Sequence, residues 1–325
     1  MGRGARFWPF LCVTVHGMGR DAHLDVHRLF LPIFADVMKR FLIVSILFFA
    51  ALLPAAAQFF TEKFKEVPSE PIPSSRQGAV ALGDYLFHFY DKGKGIEIYS
   101  LKDGRDVQRM PMPGGRETWH SNNACVSGTY LDRNDKYPLV YVSQENAGEH
   151  CICVFRIIEA KKETFSAELV QTIILPTPLE MGVWYPNLVL DNQKGEFYVS
   201  GYSRASWKDG TGGNALQYLK FIVPDVGQSE VILSTSDIID RRLYPFRLAT
   251  QGAVIRDGCM YQVYGIPPMG ETSLVCYDLE TGAVKWCRNL ISAGIPGEPE
   301  ALFFYGKELI CVDVEGVVYS AAGWD

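Results

Sequence analysis

The chain has 325 residues, 48% of them hydrophobic and 21% charged, and carries a formal net charge of −6 at pH 7. This composition excludes a disordered chain and supplies enough apolar residues for one large β domain or two ordinary ones. The acidic balance repels phosphate backbones, so nucleic acid is not an expected partner.

In chain order, the first recognisable element is a targeting signal. The stretch Met38 to Gln58, MKRFLIVSILFFAALLPAAAQ, starts with Lys39 and Arg40, runs apolar from Phe41 to Leu53 and ends in Ala55, Ala56 and Ala57. A basic start, an apolar run and an A-x-A site make a secretory signal peptide. The apolar run is shorter than the roughly 20 residues a membrane span needs. Residues 38–57 are therefore read as the signal, 1–37 as an extension ahead of a true start at Met38, and 58–325 as one domain. The product is expected to be secreted or periplasmic. It should have no stable membrane insertion after cleavage, because no cysteine at the cleavage point could carry a lipid. From Gln58 onward 25 Lys and Arg stand against 34 Asp and Glu, a net charge of −9.

Beyond the signal the chain repeats itself. SRQGAVALGDYLFHFYD from Ser75 returns as ATQGAVIRDGCMYQVYG from Ala249, with weaker copies at Trp119 (WHSNNACVSGTYL), Trp184 (WYPNLVLDNQKGEFYVSG) and Gly297 (GEPEALFFYGKELICVDV). Each has a polar side chain, a short apolar stretch, a turn and a β-prone run. With Gln77, Asn122, Asn187, Gln251 and Glu300 taken as equivalent, the spacings are 45, 65, 64 and 49 residues. Four-stranded propeller blades occupy about 40 to 50 residues, and inserted loops lengthen them. Further strands follow each anchor at Gly95, Cys151, Leu216, Thr272 and Gly316, and outer strands at Asp106 and Ala283. Turns such as SLKDGRDV and DLETGAV carry the residues tight β connections need. Only 26 residues run from Glu300 to Asp325, but Gln58 to Arg76 supplies 19 more, completing a blade. The segment FFTEKFKEVP is thus expected to form the outer strand of the blade that the C-terminus begins, closing the ring and protecting its edges. A two-domain reading, with the QGA copies marking homologous halves, fits less well because blade-like units lie between them.

The pattern resembles the five-bladed β-propellers, the architecture of arabinanase-like glycosidases, tachylectin-type lectins and plant-type glutaminyl cyclases. TQG at Thr250 is similar to the blade-opening TQG of glutaminyl cyclase-like propellers. The resemblance implies an all-β fold, a five-bladed β-propeller, and transfers no catalytic role.

In a propeller the innermost strands start around one axis, which would bring Gln77, Asn122, Asn187, Gln251 and Glu300 together. Arg76, Trp119, His120, Trp184, Tyr185 and Arg247 lie within a few residues of them. Aromatic rings beside amides can stack on sugars or other planar ligands while the amides read polar edges. The same amides could equally serve to pair backbone groups in a crowded channel. Glycosidases generally use two carboxylates. Here only Glu298 and Glu300 stand at the anchors, with Glu117 next nearest, and the arabinanase-like pattern of acids on separate blades is not visible. Glu300 with the amide oxygens of Asn122 and Asn187 offers hard ligands suited to calcium; no other cofactor is implied. His88, His120 and His150 form no close pair for zinc, and Cys151-x-Cys153 lacks a second cluster. No nucleophile motif supports Ser-His-Asp chemistry. The seven cysteines from Cys125 onward are odd in number, so at least one is unpaired. Cys259, Cys276 and Cys287 fall on successive strands where they could pair or pack as small buried hydrophobes.

Three functions follow in order. The first is a binding module for a glycan, peptide or protein at the axial face. The second is a carbohydrate-active hydrolase or lyase using Glu298 or Glu300. The third is an envelope scaffold that recognises protein through loops such as SRASWKDGTGGNALQ from Ser203.

Overall fold

The computed structural model describes residues 65–67, 76–116, 120–145, 150–202, 216–244, 249–266 and 271–322. The upstream extension and the signal stretch, together with Glu117, Trp119, Arg247 and the loop from Ser203 to Ala215, lie outside the described residues. Within the rest, the β-prone runs of the repeat form 21 strands. The first described element is a short strand, β1 (Lys65–Val67), and five sheets are built from the strands.

The first blade comprises β2 (Arg76–Leu82), β3 (Tyr85–Tyr90), β4 (Ile96–Ser100) and β5 (Asp106–Met110), paired in that order. The second contains β6 (Ala124–Val126), β7 (Val140–Glu145), β8 (His150–Lys161) and β9 (Thr164–Ile174). In the third are β10 (Trp184–Asp191), β11 (Glu196–Tyr202) and β12 (Leu216–Ile222). After β12 the chain leaves to place β13 (Glu230–Ile232) parallel to β9 of the second blade, then returns as β14 (Asp240–Tyr244) beside β12. The buried Gln171 side chain holds this excursion, donating to the carbonyls of Asp225 (2.7 Å) and Gln228 (2.9 Å). The fourth blade is β15 (Thr250–Arg256), β16 (Cys259–Tyr264), β17 (Ser273–Asp278) and β18 (Val284–Asn289). The last is β19 (Pro299–Tyr305), β20 (Glu308–Asp313) and β21 (Val318–Ala321), completed by β1.

Closure therefore occurs as the residue count requires. Lys65, Glu66 and Val67 pair antiparallel with Ser320, Tyr319 and Val318. The N-terminal strand covers the edge that β21 would otherwise expose. The long spacings of the second and third units also resolve. The second has a 12-residue and an 11-residue strand, and the third contains the excursion that extends its neighbour.

Second strands such as β3 (YLFHFY) and β16 (CMYQVY) are buried almost throughout, because neighbouring blades cover both faces. Outer strands such as β18 remain largely exposed or half-buried. Apolar clusters accordingly sit between adjacent blades. One joins Val80, Phe87 and Ile98 to Val142 and Phe155, and another joins Val263 and Leu274 to Leu302 and Leu309. The hairpin between β15 and β16 turns on Asp257 (φ 51°) and Gly258 (φ 71°), the left-handed pair that a two-residue type I′ turn needs. No disulfide joins the described cysteines, and all but Cys287 are buried. No helix among the described residues is long and apolar enough to cross a membrane.

The inner strands β2, β6, β10, β15 and β19 contact one another in a closed ring. The glycine of each QGA copy lets this ring close. A Cβ on Gly78 would lie 2.5 Å from the Ala124 nitrogen, and one on Gly252 would lie 2.6 Å from the Leu302 nitrogen, both backbone atoms of the next blade. The amide of Gly78 also donates to the Ser121 carbonyl at 3.0 Å, a bond between blades. A side chain at either glycine must push two blades apart. Gly252→Ala is therefore expected to cost about 1–3 kcal/mol in urea unfolding. Gly227→Ala, whose Cβ meets nothing within 4 Å, should leave stability unchanged or raise it by up to about 1 kcal/mol. Equal effects of the two would contradict the packing argument.

Candidate functional site

The anchor residues occupy irregular points in their strands. Pairing registers shift between Arg76 and Ala79, between Thr250 and Ala253, and between Pro299 and Ala301. Gln77, Gln251 and Glu300 lie inside these bulges, where a strand re-aims its side chains. Together with Asn122, just ahead of β6, they line one cavity of about 440 Å³ at the axis. His120 and Glu298 line it too, and Ala249, Ile266 and Val314 contribute apolar wall.

Asn187 behaves differently. In β10 the shift falls between Trp184 and Asn187, two positions earlier relative to the Gln77 and Gln251 copies, so Asn187 pairs in register with Ser200. It is 1% exposed and absent from the cavity lining. Its Nδ2 donates to the Gln251 carbonyl and its Oδ1 accepts from the Leu188 amide. The expected calcium set of Glu300, Asn122 and Asn187 is therefore not assembled. Among the described residues no three His, Cys, Asp or Glu side chains are grouped as metal ligands. Trp184 is half-buried at the start of β10, opposite Tyr202, and does not line the cavity. Arg76 and Tyr185 are placed in β2 and β10 by their backbones.

Buried amides fix the frame around the cavity. Asn122 Nδ2 donates to the Pro186 carbonyl (3.0 Å). Its fully buried neighbour Asn123 donates to the carbonyls of Leu188 (2.5 Å) and Ala253 (3.2 Å), tying three blades together. Gln262 Nε2 reaches Ser200 Oγ (3.2 Å) and the Gln251 carbonyl (3.3 Å). With its backbone so held, Gln251 donates through Nε2 to Glu298 Oε1 at 2.8 Å. His88, also fully buried, sits 3.1 Å from the Gln77 carbonyl through Nε2. Of the anchors, Asn122 and Asn187 take the backbone-pairing role weighed in the sequence, whereas the Gln251 side chain bonds a carboxylate.

The sequence reading missed Glu145, the last residue of β7. In an antiparallel hairpin the end of the second strand returns to the start of the first, and His120 and Glu145 form a β-bridge there, exchanging backbone hydrogen bonds of 2.8 and 3.0 Å. Glu145 lines the cavity at 8% exposure. The repeat carried the signal, since the corresponding hairpin ends after β16 and β20 supply Ile266 and Val314 to the same lining.

Burial dominates the electrostatics. It pushes the Glu145 carboxyl up to about 7, against the opposing pull of His120 and Asn122. Burial likewise raises Glu298, against His120 and the Gln251 amide. Glu300 lies well above the usual carboxylate range, first through burial and then through repulsion from Glu298, Asp91 and Asp313; the Gln77 amide opposes this. At His120 burial works against the charge, yet the hydrogen bond to Asp91 (Nδ1 to Oδ1, 2.9 Å) and the surrounding carboxylates outweigh it and raise the pKa. Three acceptor atoms, Gln77 Oε1, Glu145 Oε2 and Glu300 Oε2, are buried without a hydrogen-bond partner in the protein. The cavity is thus built to receive hydrogen-bond donors and to hold protons on carboxyl groups.

No family model and no curated protein matches the chain. Among solved structures, the PQQ-bound aldose sugar dehydrogenase of Streptomyces coelicolor is similar at a TM-score of 0.50 and 12% identity, covering 81% of this chain and 98% of that one. The glutaminyl cyclase of Myxococcus xanthus has a TM-score of 0.48 at 11% identity, covering 80% and 96%. A putative glucose dehydrogenase of Thermus thermophilus has 0.48 at 11%, covering 80% and 99%. At these identities the likeness is one of fold. The chain is a five-bladed β-propeller.

A carboxyl raised in the folded state binds its proton there after the unfolded chain has lost it, so stability falls as pH rises from its ordinary value of 4.5 to about 7. Glu145→Gln removes that penalty. The variant is expected to be more stable than the parent by up to about 3 kcal/mol at pH ~8, with the gap shrinking below about 1 kcal/mol at pH ~5. Urea unfolding across that range reads the difference, and a gap independent of pH would contradict the burial argument.

Proposed function

We propose that the chain is an exported binding module whose axial cavity takes a small ligand rich in hydrogen-bond donors, in the first place the end of a glycan. The observation that carries this reading is the set of unpartnered acceptors. Gln77 Oε1, Glu145 Oε2 and Glu300 Oε2 belong to residues of three blades that line one cavity. Leaving a buried acceptor unpaired costs about 1–3 kcal/mol, and folded proteins keep few of them. Hydroxyl groups would satisfy all three, while Ala249, Ile266 and Val314 offer apolar surface to the ligand's carbon face. The cavity volume lies within the range of small-molecule sites. Export is supported by the signal-like stretch from Met38 to Gln58.

A second reading, acid-base catalysis on the bound ligand, is favoured by one observation. Glu145, its carboxyl raised to about 7 and one oxygen unpartnered, faces the same space as Glu298. A group titrating near neutral pH suits proton transfer in either direction. In that case Glu145→Gln would abolish turnover of a ligand it still binds.

Thermal melting against a panel of mono- and oligosaccharides tests the binding reading. A ligand at about a hundred times its Kd stabilises the folded state by about 2.7 kcal/mol, several degrees in Tm for a domain of this size. Val314→Trp, which fills the cavity from its half-buried wall, is expected to erase the shift while melting cooperatively. A shift that survives the substitution would place the site elsewhere.

A further inference from the structure

We infer that the axial cavity selects a ligand carrying a cationic primary amine, such as an amino sugar, over a neutral one of the same shape. This rests on the binding reading above and adds the sign and kind of the ligand's charge. Three glutamates, Glu145, Glu298 and Glu300, line the cavity, and no Lys or Arg whose side chain is described does so; the side chains of Arg76 and Arg247 lie outside the described ones. His120, the one lining group that can become a cation, faces Asp91 at 2.9 Å, so its charge is already matched. Asp313 stands close enough to Glu300 to repel it.

Acidity alone would not make a site, but here it coincides with orphaned acceptors. Glu145 and Glu300 are 8% and 3% exposed, line the cavity, and each keeps Oε2 without a protein partner. A hydroxyl would satisfy the hydrogen bonds without favouring the ionised carboxylates. An ammonium satisfies the same bonds and favours the ionised form, because its bonds to carboxylates are charge-assisted and an opposite charge counters the effect of burial. Burial holds both carboxyls above their ordinary range, and at Glu300 repulsion from Glu298, Asp91 and Asp313 adds to it, a cost that a bound cation would relieve.

The geometry also discriminates among cations. The unpartnered acceptors Gln77 Oε1, Glu145 Oε2 and Glu300 Oε2 approach from three different blades. An ammonium group points three donors in three directions, whereas a guanidinium presents a planar fork suited to the paired oxygens of one carboxylate. A bare metal ion is disfavoured because the described acidic side chains do not group as metal ligands, and the cavity of about 440 Å³ has room for an organic body behind the charge.

The test titrates the purified protein at pH ~7, where a 2-amino sugar is mostly protonated, by calorimetry and thermal shift, with D-glucosamine, N-acetyl-D-glucosamine, D-glucose and ethanolamine, and separately with calcium chloride. At least one of the two amines is expected to bind about tenfold more tightly than both neutral sugars, the scale of one charge-assisted hydrogen bond. Glu145→Gln should reduce that preference severalfold. The parent's own ratio decides the matter if the variant folds poorly. Neutral sugars binding as tightly as the amines would overturn the inference and leave the binding reading standing. A response to calcium alone would overturn it in favour of a metal site, and no response to any organic probe would overturn both.

Discussion

Backbone meets backbone where neighbouring blades touch at Gly78 and Gly252, and the arrangement of the axis depends on that approach. Elsewhere around the ring amides bridge the blades, as Asn123 does to Leu188 and Ala253. The strand starts carry bulges, and Gln77, Gln251 and Glu300 inside them line one cavity. The repeated QGA thus serves packing and site together. Glycine permits the contact, and the residue before it is presented to the axis.

Much of the fold could be read from the chain because a propeller repeats its solution. The anchor, the hairpin after it and the outer strands recur, and the shortfall after Glu300 foretold that β1 would complete the last blade. The excursion that adds β13 to the second blade was not foreseeable, because a parallel three-residue strand has no pattern of its own. It is recognisable only through its partner, the buried Gln171.

The site was legible in part, and each departure has a local cause. Gln77, Asn122, Gln251 and Glu300, equivalent in the repeat, line the cavity with their neighbours His120 and Glu298. Asn187 does not, because its strand places the bulge before it and returns the residue to the ladder. Glu145 escaped notice because attention to the first strand of each hairpin overlooks the residue that folds back beside it. The aromatic platform expected at Trp184 is displaced from the cavity by the same bulge that retires Asn187. What remains at the axis is less an amide ring than a set of carboxyl groups gathered in low-dielectric surroundings, a costly arrangement that a donor-bearing ligand would relieve.

The most direct measurement is a crystal structure of the protein grown with D-glucosamine. The account predicts the sugar in the axial cavity, its nitrogen within roughly 3 Å of Glu145 Oε2 or Glu300 Oε2 and a further donor on Gln77 Oε1. Sugar bound on an outer strand or between blades, with the axial carboxyl groups untouched, would contradict it.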